Sequence, residues 1–275
     1  MQPRLTGLAA EGSATDDANG FDVLDELIGV ATFVINASTY AIVASQTEDG
    51  VQLIHVSDPS VPVAVSSAID GANGFDRLDG ANGVATFVIN ASTYAIVTGI
   101  DDDGVQLIDV SDPSAPVAVS SATDGVDGFE ELDGAHCVAT FVINASTYAI
   151  VASWDDDGVQ LIDVSDPSAP VAVGSATDGF GGFDELDAAF GVATFVINAR
   201  TYAIVASSAD NGVQLIDVSD PSVPVAVGSA TDGFGGFDEL DGAHGVTTVV
   251  IGSSTYAIVA SEFDAGVQLA RMLTT

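Results

Sequence analysis

The residues of this 275-residue chain best suited to chemistry are carboxylates, set in short runs that end in glycine. Asp101-Asp102-Asp103-Gly104 and Asp155-Asp156-Asp157-Gly158 stand 54 residues apart. Each is followed by a second acidic stretch, Asp124, Asp127, Glu130, Glu131 and Asp133 after the first and Asp178, Asp184, Glu185 and Asp187 after the second. Hard oxygens on pliable loops are what calcium takes, about six to eight of them at about 2.3–2.6 Å. Asp101, Asp103, Asp155, Asp157, Asp184 and Asp187 are therefore the candidate metal ligands, and calcium is the candidate cofactor. Neither run continues as an EF-hand, because its sixth position holds no glycine, and Asp178-Gly179-Phe180-Gly181-Gly182-Phe183 lacks the nonapeptide calcium repeat. The competing reading is a solvated acidic surface suited to a saline environment.

The elements that must hold these loops come from one repeated unit. Gly104-Val-Gln-Leu-Ile-Asp-Val-Ser111 followed by Asp112-Pro113-Ser114-Ala115-Pro116 recurs at 158–170 and 212–224, recurs with His55 at 50–62, and is cut short at 266–270. Tyr40, Tyr94, Tyr148, Tyr202 and Tyr256 mark five copies at 54-residue spacing. In the third copy, 138–144 and 147–153 are β-branched and aromatic-rich, too short for helices, and joined by a turn at Asn144-Ala145-Ser146, so they read as a hairpin. The glycine-ended acidic turn leads into a third strand over 159–164. The Asp166-Pro167 turn, where proline removes a ladder donor, leads into a fourth over 171–176. Runs such as Phe141-Val142-Ile143 are apolar on successive residues, as expected of a sheet covered on both faces. The sequence therefore predicts an all-β protein: a five-bladed β-propeller of four-stranded antiparallel blades in one domain spanning 1–275.

The fifth copy lacks the proline turn and fourth strand. Ser13-Ala14-Thr15-Asp16 is in phase with the fourth-strand ends Ser67-Ala68-Ile69-Asp70 and Ser229-Ala230-Thr231-Asp232. The expectation is that residues about 8–14 complete the last blade and close the ring, leaving no free sheet edge. A head-to-tail, strand-swapped oligomer would satisfy the same complementarity, and a monomer is the simpler expectation.

Tyr-Ala-Ile-Val-Ala-Ser followed by Gly-Val-Gln-Leu-Ile-Asp-Val-Ser-Asp-Pro-Ser-x-Pro resembles the LVIVD-repeat family of β-propeller proteins over 94–121, 148–175 and 202–229, with a weaker copy at 40–67. Ala135-His136 and Ala243-His244 resemble the residues entering that family's innermost strand. The resemblance implies architecture and a surface or exported location in bacteria or archaea; it implies no shared reaction. The longer, more acidic inter-blade segments, such as 175–188, depart from the family.

Strand order in such a blade puts the inter-blade loops and the loops between second and third strands on one side, which gathers 32 of the 40 carboxylates on one face. With four lysines and arginines, the net charge is −36. That excludes nucleic acid and anionic membranes as partners and favours cations or a basic or glycan surface. No run reaches the about 18–20 apolar residues of a membrane helix, so no insertion is expected. The first residues show no long apolar segment, which argues against an intact signal peptide. Asp58, Asp112, Asp166 and Asp220 precede proline and read as turn residues. Asp109, Asp163 and Asp217 read as structurally satisfied.

Other candidates are weaker. His136 and His244 share a repeat position with Ile28, Asn82 and Phe190 and are separated by a whole blade, which does not make a metal site. Cys137, the only cysteine, replaces Gly29, Gly83, Gly191 and Gly245, and strand neighbours face opposite ways, so it does not pair with His136 as a nucleophile. Asn36, Asn90 and Asn144 fit the glycosylation pattern and also fit hairpin turns. Phe21, Phe75, Phe129, Phe183 and Phe237 read as loop anchors; exposed, they would form a ring for sugar or peptide. The expectation is a non-enzymatic scaffold or adhesion propeller, extracellular or on the cell surface, with an acidic, calcium-binding face. The alternatives are a carbohydrate- or peptide-binding propeller and a metal-dependent hydrolase at the channel mouth.

Overall fold

Each repeat becomes an antiparallel meander because two turn chemistries punctuate its β-branched runs. The computed structural model describes residues 9–273. The first blade is β1 (Leu27–Ile35), β2 (Ser38–Ser45), β3 (Gly50–His55) and β4 (Val63–Ile69). The second is β5 (Ala81–Ile89), β6 (Ser92–Gly99), β7 (Gly104–Asp109) and β8 (Val117–Thr123), and the third is β9 (Ala135–Ile143), β10 (Ser146–Ser153), β11 (Gly158–Asp163) and β12 (Val171–Thr177). The fourth is β13 (Ala189–Ile197), β14 (Arg200–Ser207), β15 (Gly212–Asp217) and β16 (Val225–Thr231); the fifth is β17 (Ala243–Ile251), β18 (Ser254–Ser261) and β19 (Gly266–Arg271). The hairpin turns at Asn36-Ala37, Asn90-Ala91 and Asn144-Ala145 have positive φ at both residues, the primed-turn geometry that follows the twist of the flanking strands. The proline turns are fixed by Asp58, Asp112, Asp166 and Asp220, whose Oδ1 accepts the amide of the serine two residues on at 3.0–3.1 Å.

The core lies between blades. Ile96, Val105 and Leu107 of the second blade meet Phe129, Leu132, Ala135 and Val151 around the third, and equivalent clusters join the first to the second, the third to the fourth and the fourth to the fifth. Second strands are buried on consecutive residues, as in β10 from Ala149 to Ser153, which explains the missing apolar/polar alternation. Successive first strands line a central channel. A cavity of about 240 Å³ at its mouth is bordered by Ile28, Asn82, His136, Phe190 and His244, one from each blade.

The ring closure expected from residues 8–14 is not formed. Residue 8 lies outside the described part; residues 9–14 make no strand, and the fifth sheet has the order β17-β18-β19. The first strands β1, β5, β9, β13 and β17 pack in sequence, but β17 does not pack on β1 in the same way. The fifth copy also differs locally. Asp49, Asp103 and Asp157 each take a left-handed φ and accept a backbone amide of the next blade, from Gly80, Gly134 and Ala188 at 3.1, 3.3 and 2.9 Å. Asn211 does the same for Gly242 at 2.8 Å. The fifth copy has Ala265 at that position, with φ 51° and no side chain that could cap the first blade.

Candidate functional site

The acidic face is assembled as the strand order requires. Within a blade, the loop between second and third strands reaches the inter-blade loop: Asp102 accepts the amide of Asp79 at 2.9 Å, Asp156 that of Asp133 at 2.7 Å, and Asp210 that of Asp187 at 2.8 Å. The start of each inter-blade loop folds back as well. Asp70, Asp124, Asp178 and Asp232 each accept the amide of the leucine eight residues later at 3.0–3.1 Å.

Every inter-blade loop is also tied to its blade by a glutamine that the sequence reading passed over. Gln52, Gln106, Gln160 and Gln214 are buried in the third strands; Nε2 donates to a fourth-strand carbonyl at 2.6–3.0 Å, and Oε1 accepts a loop amide at 3.0–3.3 Å. The signal was available: one polar residue, invariant in five copies, between the apolar residues at the middle of the third strand. Phe21, Phe75, Phe129 and Phe183 are buried beneath their loops. The anchoring reading holds, and these rings do not form an exposed sugar- or peptide-binding set.

The carboxylates meet in pairs across blade seams. Asp133 lies within hydrogen-bond reach of Asp103; desolvation first, and then Asp103, push its carboxyl up to about 6. Asp187 faces Asp157 and Asp79 faces Asp49, each raised by desolvation and then by that partner. Asp156 and Asp210 are also pushed up to about 6, by desolvation first and with Asp124 and Asp178 as the respective neighbouring carboxylates. Such an approach disfavours ionisation of both carboxylates at once and favours a shared proton or a cation between them.

Of the six candidate ligands, the structure brings Asp157 and Asp187 together. Asp103 meets Asp133 instead, Asp101 and Asp155 stand beside Gly80 and Gly134, and the Asp184 amide is held by Gln214. Among the described residues, no three His, Cys, Asp or Glu side chains are arranged to hold a metal ion.

Beneath the face lie Glu131 and Glu185, buried, each with Oε1 accepting from a threonine hydroxyl, Thr177 or Thr231, and with Oε2 unpartnered. Burial pushes both up to about 7 against the pull of the threonine, with surrounding aspartates adding to the rise. The same repeat position holds Arg77, whose Nε donates to Thr123 at 2.6 Å.

The channel mouth is lined by packed rings. The Phe190 ring sits between those of His136 and His244, with centroid separations of 3.6 and 4.0 Å, and Trp154 packs edge-on against it. Burial, with a smaller contribution from His244, lowers His136 to about 4, so it is neutral at pH 7. The Cys137 thiol is half-buried and desolvation raises its pKa, which leaves it protonated at pH 7. Asp109, Asp163 and Asp217 are satisfied by the amide two residues on, at 2.8–2.9 Å.

Residues 94–124, 145–178 and 200–232 match the LVIVD repeat, so the chain carries three copies of that family's repeat. No curated protein matches the sequence. Among solved structures, the fold is similar to a functionally unknown protein from Desulfotomaculum acetoxidans DSM 771, at TM-score 0.57 and 11% identity over 90% of this chain and 69% of that one. It is also similar to a putative 6-phosphogluconolactonase from Bacteroides fragilis NCTC 9343, at TM-score 0.59 and 10% identity over 86% and 64% of the two chains. A thermostable family-43 glycoside hydrolase aligns at TM-score 0.52 and 11% identity over 91% and 90%. At these identities the likeness is one of fold and carries no reaction with it.

Proposed function

We propose that this protein is a non-enzymatic scaffold or adhesion propeller, acting at the cell surface or outside the cell, whose acidic face takes up divalent cations, calcium foremost, from its surroundings. The observation that carries this reading is the cross-seam pairing of Asp49 with Asp79, Asp103 with Asp133 and Asp157 with Asp187. Each pair is short of positive charge by construction. Because no three side chains converge, an ion is held by two carboxylates and completes its oxygen sphere with water and loop carbonyls. Such an ion joins neighbouring blades and relieves self-repulsion in a molecule of net charge −36. The face then presents bound cations to an anionic glycan, or bare carboxylates to a basic partner.

The test is thermal unfolding in millimolar calcium against sodium chloride of equal ionic strength. Calcium is expected to raise the melting temperature by several degrees more than sodium does, and Asp103→Asn with Asp157→Asn to remove most of that excess. Equal shifts in the two salts would reduce the face to a screened polyanion and discard the calcium reading.

A further inference from the structure

The strand β19 and the segment before the first blade are two halves of a ladder that is unpaired among the described residues. On β19, Val267 and Leu269 are 54% and 55% exposed, whereas Val159 and Leu161 at the same repeat positions are fully buried beside a fourth strand. Gln268 Nε2 donates only to the carbonyl of Leu269, while its counterparts also bond a fourth-strand carbonyl.

The other half is already shaped as a fourth strand. A side chain at Gly12 would strike the Pro59 carbonyl and the Pro62 ring of the first blade, just as one at Gly174 of β12 would strike Pro221 and Pro224 of the fourth. Asp16 accepts the Leu24 amide at 3.2 Å, as Asp70 does that of Leu78. Yet among the described residues 9–15 make no backbone hydrogen bond, and Ala14 is exposed where Ala68, Ala122 and Ala176 are buried.

The ladder of β15 on β16 fixes the register by repeat phase. Gly212↔Thr231, Val213↔Ala230, Gln214↔Ser229 and Leu215↔Gly228 become Gly266↔Thr15, Val267↔Ala14, Gln268↔Ser13 and Leu269↔Gly12. Gln268 would then donate to the Gly12 carbonyl. Thr15 would meet Glu239 as Thr177 meets Glu131.

We propose that residues 9–15 of a second copy of this chain add to β19 in this register, so that the protein self-associates by strand addition. A second copy is favoured over closure within one chain by the seam itself. Ala265 cannot cap the first blade as Asn211 caps the fifth, and Gly245, unlike Gly29 and Gly191, has no atom of a following blade against it. A second copy can set its first blade at whatever rotation the β19 ladder requires, whereas closure in one chain must fit the rotation already fixed by the four formed seams. The contact is heterologous, so it either propagates or is returned reciprocally by the partner. With −36 on each copy, it strengthens with salt.

The experiment uses the full chain with Cys137→Gly, the residue four other copies carry there. Ala14→Cys and Val267→Cys are made singly and together, and circular dichroism verifies that each variant keeps its β-sheet. Equal amounts of the two single variants are mixed under mild oxidation in high and in low sodium chloride, and peptide mass mapping reads the bond. A 14–267 disulfide joining the two variants, more abundant in high salt, is the expected result. A 14–267 disulfide confined within the doubly substituted chain would overturn the proposal in favour of closure on itself, and no such bond in either preparation would overturn the register.

Discussion

Truncating Leu161 to alanine is expected to destabilise the protein by about 2–5 kcal/mol, whereas the same change at Leu269 is expected to cost less than about 1 kcal/mol in dilute solution. Both residues occupy the same place in Gly-Val-Gln-Leu and differ only in the neighbours their blades provide. Leu161 is fully buried in the cluster joining the third and fourth blades, with Ile150, Val159, Ala176 and Leu186 around it. Removing its side chain leaves a cavity that strands fixed on both sides cannot fill. Leu269 stands on the unpaired edge, more than half exposed, so little transfer energy is lost. Denaturant titration of the two variants at low protein concentration measures the contrast. Equal losses would mean that the fifth blade is covered in solution and that the open seam described above is wrong.

Melting temperature is expected to rise by several degrees as pH is lowered from 8 to 5 at constant ionic strength. The direction follows from the acidic groups beneath and across the seams. Glu131 and Glu185 are raised to about 7, and Asp133, Asp156 and Asp210 to about 6, from ordinary carboxyl values near 4. Between about pH 4 and 7 the native state therefore holds protons that the unfolded chain has released. The stabilisation they give is complete below the unfolded value and is lost as pH rises through the folded one. Further acid reverses the trend, because Asp58, Asp112 and Asp166 are held below their ordinary value by serine hydrogen bonds and lose those bonds on protonation. Glu131→Gln together with Glu185→Gln is expected to flatten the slope and to raise stability at pH 8, since the amide never becomes a buried anion. A scan showing greatest stability at pH 8, or the same slope in the double variant, would contradict this account. Under the proposed function calcium and protons compete for the same carboxylates, so calcium should stabilise less at pH 5 than at pH 8.

Much of this was legible in the residues. The Asn-Ala hairpins, the Asp-Pro turns and the glycine-ended acidic loops are local chemistry, and they set strand limits that agree with the structure to within about three residues at most ends of the third blade. The gathering of acidic loops on one side followed from strand order alone. Less legible was which carboxylates would meet. The sequence sets the Asp101–Asp103 run against the stretch from Asp124 to Asp133, and of that stretch it is Asp133 that Asp103 meets across a seam; no spacing along the chain singles out that pair. Gln160 was hidden for the opposite reason: it looks like one polar residue in an apolar strand, and only the loop amide and the fourth-strand carbonyl beside it give it a task.

The chain by itself determined the repeat, the meander, the antiparallel pairing and the sign of the surface charge, because each is fixed by side-chain type and turn chemistry within a few tens of residues. Only the tertiary structure decided whether the ends meet. The matching strand sequences at the two ends permit closure, but whether β19 finds them depends on how each blade sits on the next, a rotation set by contacts such as Asp157 with the Ala188 amide. Ala265 offers no such contact, and among the described residues the final sheet keeps a free edge.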